Sequence, residues 1–155
     1  MTPWMDKREI EKIISYLKPE DRMFEWGCGG STVYFSKYVS FYRSIEHDYK
    51  WFNNIVNLVP PNTEIYHYSD INNYTNYINA ISDYEDEYDT ILIDGRCRLK
   101  CAIKAKKYLK HNGILFVHDY YTRPYYHQIE KEYTLIDSIK DTEQTLAVFR
   151  NEIYH

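Results

Sequence analysis

The chain has 155 residues, a formal net charge of −4 with both signs mixed along its length, and an apolar fraction of 44%. That is the size of one domain that buries a core without disulfides or metal, so residues 1–155 are read as a single domain. The mildly acidic balance lacks the basic excess of a general nucleic-acid binder, and no apolar run of about 20 residues marks a transmembrane helix, so neither nucleic acid nor membrane is an expected partner.

Three cysteines, Cys28, Cys97 and Cys101, form neither a disulfide framework nor a CxxC zinc pair. The opening Met1-Thr2-Pro3-Trp4-Met5-Asp6 lacks the apolar centre of a signal peptide. Reduced thiols and no leader give the expectation of a cytoplasmic protein. Eighteen tyrosines accompany abundant Asn, Ile and Lys, the pattern of AT-rich coding bias, so only tyrosines at special places in the fold merit a functional reading. No feature specifies a number of subunits.

Strands and helices alternate along the chain. Ile10, Ile13, Ile14 and Leu17 fall at helical spacing over 6–17, and Pro19 stops that helix. Met23–Trp26 reads as a short strand running into Gly27-Cys28-Gly29-Gly30. Ser31 or Thr32 is the expected cap of a helix through Phe35 to about Tyr38. Phe41–Glu46 is a second strand, and Asp48 caps a helix carrying Trp51, Phe52, Ile55 and Leu58 that ends at Pro60-Pro61. Glu64–Tyr68 is a third strand, followed by Ser69-Asp70 and a helix over 74–82. The acidic run Asp83–Glu87 is a solvated turn before Tyr88–Ile93, whose apolar run suits a central strand covered on both faces. A patterned helix over 98–110 closes at Asn112-Gly113. Ile114–Val117 is a fifth strand leading into His118-Asp119. Residues 123–131 read as helical, and 134–139 and 145–150 as two last strands joined by a polar turn around Asp141-Thr142-Glu143.

This order predicts an α/β protein: a Rossmann-like three-layer sandwich with a mostly parallel seven-stranded sheet and an antiparallel last strand. Such sheets bind ligands beyond the carboxyl ends of their strands, near the switch point. Gly27–Thr32, Glu46, Asp70, Asp94 and His118-Asp119 each fall just past a predicted strand. Glycines after the first strand permit a tight turn and close approach of backbone to ligand. Glu46, at the end of the second strand, is placed to accept both hydrogen bonds of a ribose diol.

Glu25-x-Gly27-x-Gly29 resembles motif I of class I S-adenosylmethionine-dependent methyltransferases, with its acid two residues before the first glycine. Phe24–Thr32 continued by Ser44-Ile45-Glu46-His47-Asp48, with Asp94-Gly95 and Val117-His118-Asp119 followed by Arg123, is similar to polysaccharide O-methyltransferases of the glucuronoxylan type. The third glycine of the usual pattern is Ser31 here, beside Gly30. The resemblance implies S-adenosylmethionine as cofactor. By position it implies that Glu25 meets the amino-acid end, directly or through water, that Gly27, Cys28, Gly29, Gly30, Ser31 and Thr32 pass beneath the methionine and ribose portions, and that Glu46 holds the ribose. It further implies that Asp70 reaches the adenine amino group while Ile71 packs on the ring.

A sulfonium makes its methyl carbon electrophilic, leaving the protein to align a nucleophile and remove its proton. Asp94, His118 and Asp119 are the candidate catalytic groups. His118 is a base suited to neutral pH, oriented by Asp119. Alternatively Asp94 and Asp119 hold a divalent cation that activates a hydroxyl, as similarly placed acids do in catechol-type methyltransferases. Arg96, Tyr120, Tyr121 and Arg123 are the candidate acceptor-binding residues, aromatic faces suiting sugar rings and arginine suiting a uronate or phosphate. Arg98 is weighed for the same role or for a solvated helix start. The expected partner is a saccharide or another small hydroxyl acceptor. Competing readings are a methyltransferase acting on a nucleic-acid base or amine, a non-catalytic binding module on the same fold, and a dinucleotide-dependent oxidoreductase. Asp94-Gly95-Arg96-Cys97, where amino-methylating DNA enzymes carry an Asn/Asp-Pro-Pro-Tyr motif, weighs against the first.

Overall fold

A computed structural model describes residues 1–140 and 144–152. The expected turn around Asp141-Thr142-Glu143 lies outside the described residues. Seven strands form one sheet: β1 (Arg22–Trp26), β2 (Phe41–Glu46), β3 (Thr63–His67), β4 (Tyr88–Ile93), β5 (Leu109–His118), β6 (Thr134–Ile139) and β7 (Leu146–Arg150). Their order is β3-β2-β1-β4-β5-β7-β6. The first five pair in parallel, and β7 runs antiparallel to both β5 and β6. The expected α/β architecture, mostly parallel with an antiparallel last strand, is the observed one.

Side-chain alternation explains why both faces are covered. Met23, Leu92, Ile114, Phe116, Leu146 and Val148 point to one face, where α1 (Lys7–Tyr16) contributes Ile13 and α2 (Gly30–Phe35) contributes Phe35. Phe24, Trp26, Ile91, Ile93, Leu115, Val117 and Phe149 point to the other. There α4 (Ile71–Asn79) supplies Tyr77 and α5 (Arg98–Ala105) supplies Cys101, Ala102 and Ala105. A smaller cluster of Cys28, Ile55 and Ile65 seats α3 (Tyr49–Ile55). Asp6 caps α1 by accepting from the Arg8 N–H at 2.9 Å, and Asp48 caps α3 by accepting from Trp51 N–H at 3.1 Å.

Three elements differ from the sequence expectation. The helix over 98–110 stops at Ala105, and Asn112-Gly113 lies within β5, at a register irregularity against β4, rather than at a helix end. Asn112 takes a left-handed φ of 63° there, and the Asn151 amide donates to Leu109 O at 2.8 Å. Residues 123–131 wind as a 3₁₀ helix from Pro124 to Lys131. The helix expected from 74 begins at Ile71, but Asn72, Asn73 and Tyr74 all carry positive φ, so its first turn is left-handed. Among the described residues no helix is long and apolar enough to cross a membrane.

Candidate active site

The strand order reverses beside β1: the chain steps outward through β2 and β3, then returns to lay β4 on the other side of β1. Here the loops after β1 and β4 touch. Gly27 has φ +94°, and a Cβ on it would lie 2.8 Å from the Asp94 carbonyl oxygen, so both its conformation and its neighbour require glycine. The turn that follows is held from below. Glu25 is fully buried and accepts from Thr32 Oγ1 at 2.6 Å, from Ser44 Oγ at 2.8 Å and from Ser31 Oγ. Burial pushes its carboxyl up to about 7, against the lowering effect of those three hydroxyls. Gly29 is the N-cap of α2, and its N–H donates to Thr32 Oγ1 at 3.0 Å, so Thr32 serves from the third helical position rather than as the cap. Glu25 therefore sits a layer beneath the loop. It does not line the cavity above the loop, so the structure does not place it for direct contact with a cofactor's amino-acid end.

Glu46 plays a related part at the next strand. It is 5% exposed; one oxygen accepts from the Cys28 N–H at 3.0 Å and the other from the Asp48 N–H at 2.9 Å. The loops after β1 and β2 are thus tied through a single carboxylate. Trp51 closes the same corner. Its indole N–H donates to Cys28 O at 2.6 Å, and its ring lies 3.5 Å from where a Gly29 Cβ would stand. Burial pushes the Cys28 thiol up, so it stays neutral. The helical pattern of α3 marked Trp51 as apolar; only the fold shows that it covers the glycine loop.

Above the loop opens a cavity of about 580 Å³ lined by Trp4, Cys28–Ser31, Trp51, Asp94, Arg98, His118, Asp119 and Gln144. Its charged wall is one network. His118 Nδ1 lies 2.8 Å from Asp94 Oδ1 and 3.7 Å from Asp119 Oδ2, while Nε2 lies 3.0 Å from Oε2 of Glu9, a fully buried residue of α1. Burial alone would push the imidazole down; pairing with Asp94 and Glu9 reverses this and raises it to about 10. Burial also raises the Glu9 carboxyl, which the imidazolium opposes. Arg98 donates from Nε to Gly95 O at 3.0 Å and from Nη1 to His118 O, and stands 3.8 Å from Asp94 and 3.9 Å from Asp119.

These contacts change two expectations. Both ring nitrogens of His118 already face carboxylates, so the ring is a charged brace and not a free base. The carboxylates of Asp94 and Asp119 are already shared by two protein cations, His118 and Arg98, and among the described residues no cluster of three or more His, Cys, Asp or Glu is arranged to hold a metal. The residues present do not fit the divalent cation considered from the sequence.

Other expected residues lie elsewhere. Asp70 and Ile71 are exposed and do not line the cavity; Ile71 is 63% exposed and Asp70 makes no side-chain cap. Arg96 and Arg123 are exposed outside it. Tyr120 is fully buried in the core, its hydroxyl donating to Glu130 at 2.6 Å, which removes it from any acceptor surface. Tyr121 packs on Tyr120, edge to face, under the Lys140 ammonium. Sequence reading missed Glu9, Trp4 and Trp51; a buried acid on the apolar side of the first helix was the one available signal, since Glu9 sits beside Ile10 and Ile13.

No protein-family model matches the chain, and no curated protein matches it. Among solved structures, a methyltransferase-like protein from Silicibacter pomeroyi superposes with a TM-score of 0.76 at 24% identity, covering 97% of this chain and 88% of that one. The fold is that of Rossmann-like methyltransferases. The N-methyltransferase NodS from Bradyrhizobium japonicum gives 0.69 at 13% identity over 95% of this chain and 97% of that one. An rRNA methylase from Streptococcus thermophilus gives 0.69 at 10% over 98% and 100%. These neighbours differ in acceptor, so the likeness speaks to architecture and not to substrate.

Proposed function

We propose that the protein is an S-adenosylmethionine-dependent methyltransferase that O-methylates a hydroxyl, of a saccharide in the reading the sequence resemblance supports. The observation that carries this is the cavity itself. It lies at the switch point of the sheet, and Cys28–Ser31, Trp51, Asp94 and Asp119 line it. Cys28–Ser31 would hold the methionine portion, and Glu46 fixes their backbone from behind. When bound, the cofactor supplies an electrophilic methyl group.

Within this reading Asp119 accepts the acceptor's proton. It is the carboxylate of the wall with only long contacts, 3.7 Å to His118 and 3.9 Å to Arg98, and its side chain is 29% exposed. Asp94 is engaged at 2.8 Å by His118, whose charge and orientation it shares with Glu9. His118 and Arg98 are positioning groups: standing 2.8–3.9 Å from the two carboxylates, they hold them aimed at the cavity. A cytoplasmic setting accords with free Cys28, Cys97 and Cys101.

The test is calorimetric titration with S-adenosylmethionine and S-adenosylhomocysteine, with NAD as control, followed by screening of saccharide acceptors. Binding of the first two without NAD supports the reading; binding of none overturns it in favour of a non-catalytic module. With an acceptor in hand, Asp119→Asn is expected to lower kcat by about 10²-fold or more while cofactor affinity holds. Unchanged turnover would remove Asp119 from the chemistry.

A further inference from the structure

The N-terminal segment is part of the cavity, and no motif marks it. A Cβ on Gly30 would run into the Thr2 carbonyl oxygen and stand 3.1 Å from Pro3 Cα, so Gly30 is the residue that lets residues 2–3 cross the loop. Pro3 is buried there. Six residues on, Glu9 is fully buried against His118. Between these two anchors Trp4 lines the cavity with 91% of its surface exposed. Tryptophan is highly buried on average, and an indole left in water at the mouth of a cavity offers a large aromatic face to a ligand.

The charge beside that face is carboxylate. The side chains of Asp94 and Asp119 are 24% and 29% exposed, whereas His118 is 5% and Arg98 17% exposed and both cations are turned onto carboxylates or backbone carbonyls. An entering group therefore meets indole and carboxylate oxygen, surroundings that favour a cation over a neutral group of the same shape.

We propose that Trp4 is a specificity-determining residue that favours the cationic sulfonium form of the cofactor over the neutral thioether left after methyl transfer. The inference rests on the cavity being the cofactor site. In the reaction the methyl carbon bonds to the acceptor oxygen, the carbon–sulfur bond breaks with its electron pair remaining on sulfur, and the hydroxyl proton passes to Asp119. The sulfur thereby loses the charge that the indole attracts, and the product is held less tightly than the reactant.

The experiment measures dissociation constants of S-adenosylmethionine, S-adenosylhomocysteine and sinefungin, which carries an ammonium in place of the sulfonium, on wild type, Trp4→Ala and Trp4→Phe. The wild type is expected to bind the two cationic ligands about 3–10-fold tighter than the thioether. Trp4→Ala brings that ratio to within about twofold by weakening only the cations, and Trp4→Phe retains part of it. Thermal melts confirm that both variants are folded, as expected for so exposed a side chain. Equal ratios in wild type and Trp4→Ala, with all ligands bound, overturn the inference and leave the cofactor site standing. No binding of any ligand overturns both.

Discussion

The loops at the centre of the sheet and those at its β3 edge are built in opposite ways. Around the switch point between β1 and β4 most acidic groups are held: Glu25 by three hydroxyls, Glu46 by two backbone N–H groups, and Asp94 and Glu9 by ion pairing with one imidazolium, with Asp119 alone keeping only long contacts. At the outer edge, past β3, Asp70 and Ile71 are exposed and the next three residues are left-handed. Central strands bring loops together from both sides, so charges there are desolvated and must find partners. An edge strand has one neighbour and leaves its loop in water. The difference separates residues whose roles are set by folding from those that only a ligand would organise.

The largest effect should come from the most buried pair. Glu9→Gln leaves the His118 charge without one of its two nearest counterions and is expected to cost about 3 kcal/mol in urea unfolding; a loss below about 1 kcal/mol would mean that Glu9 does not sustain the network. Next comes Gly27→Ala, which forces a Cβ onto a φ of +94° and against the Asp94 carbonyl. The expected cost is about 1–3 kcal/mol, with weaker S-adenosylhomocysteine binding. An unchanged midpoint would show that the two loops yield easily.

A pH series sharpens the same contrast. The folded His118 holds its proton up to about 10, whereas the unfolded residue releases it near 6.5. The stabilisation is therefore complete below pH 6.5 and is lost as pH rises through about 10. Unfolding free energy should fall across that window in wild type and fall less in His118→Gln; identical slopes would deny the imidazolium. The smallest effect belongs to the edge. Asp70→Ala is expected to change stability by less than about 0.5 kcal/mol, and a large loss of S-adenosylhomocysteine affinity would instead draw the edge into the site.

Much of this architecture was legible because burial on both faces leaves a plain pattern. The apolar runs in 88–93 and 114–117 suited central strands, and Glu46, Asp94 and His118 each stood at or just past the end of a predicted strand. The glycine-rich turn was equally open to reading, since a positive φ at Gly27 has few sequence solutions. What each acid does was not legible, because that depends on partners distant in sequence. Glu9 meets His118 across more than 100 residues, the Thr2 carbonyl lies on Gly30, and Trp51 folds back over Cys28. Tyr120 shows the same limit in reverse: its place after the fifth strand suited an acceptor surface, yet packing against Phe149 and a hydroxyl bond to Glu130 put it in the core. The order of strands and the sheet edge where their carboxyl ends meet could be read along the chain, since both follow from local periodicity and chain direction. Which charges face the cavity and which are consumed in holding it emerges with packing, since that is set by desolvation and by contacts between elements far apart in the chain.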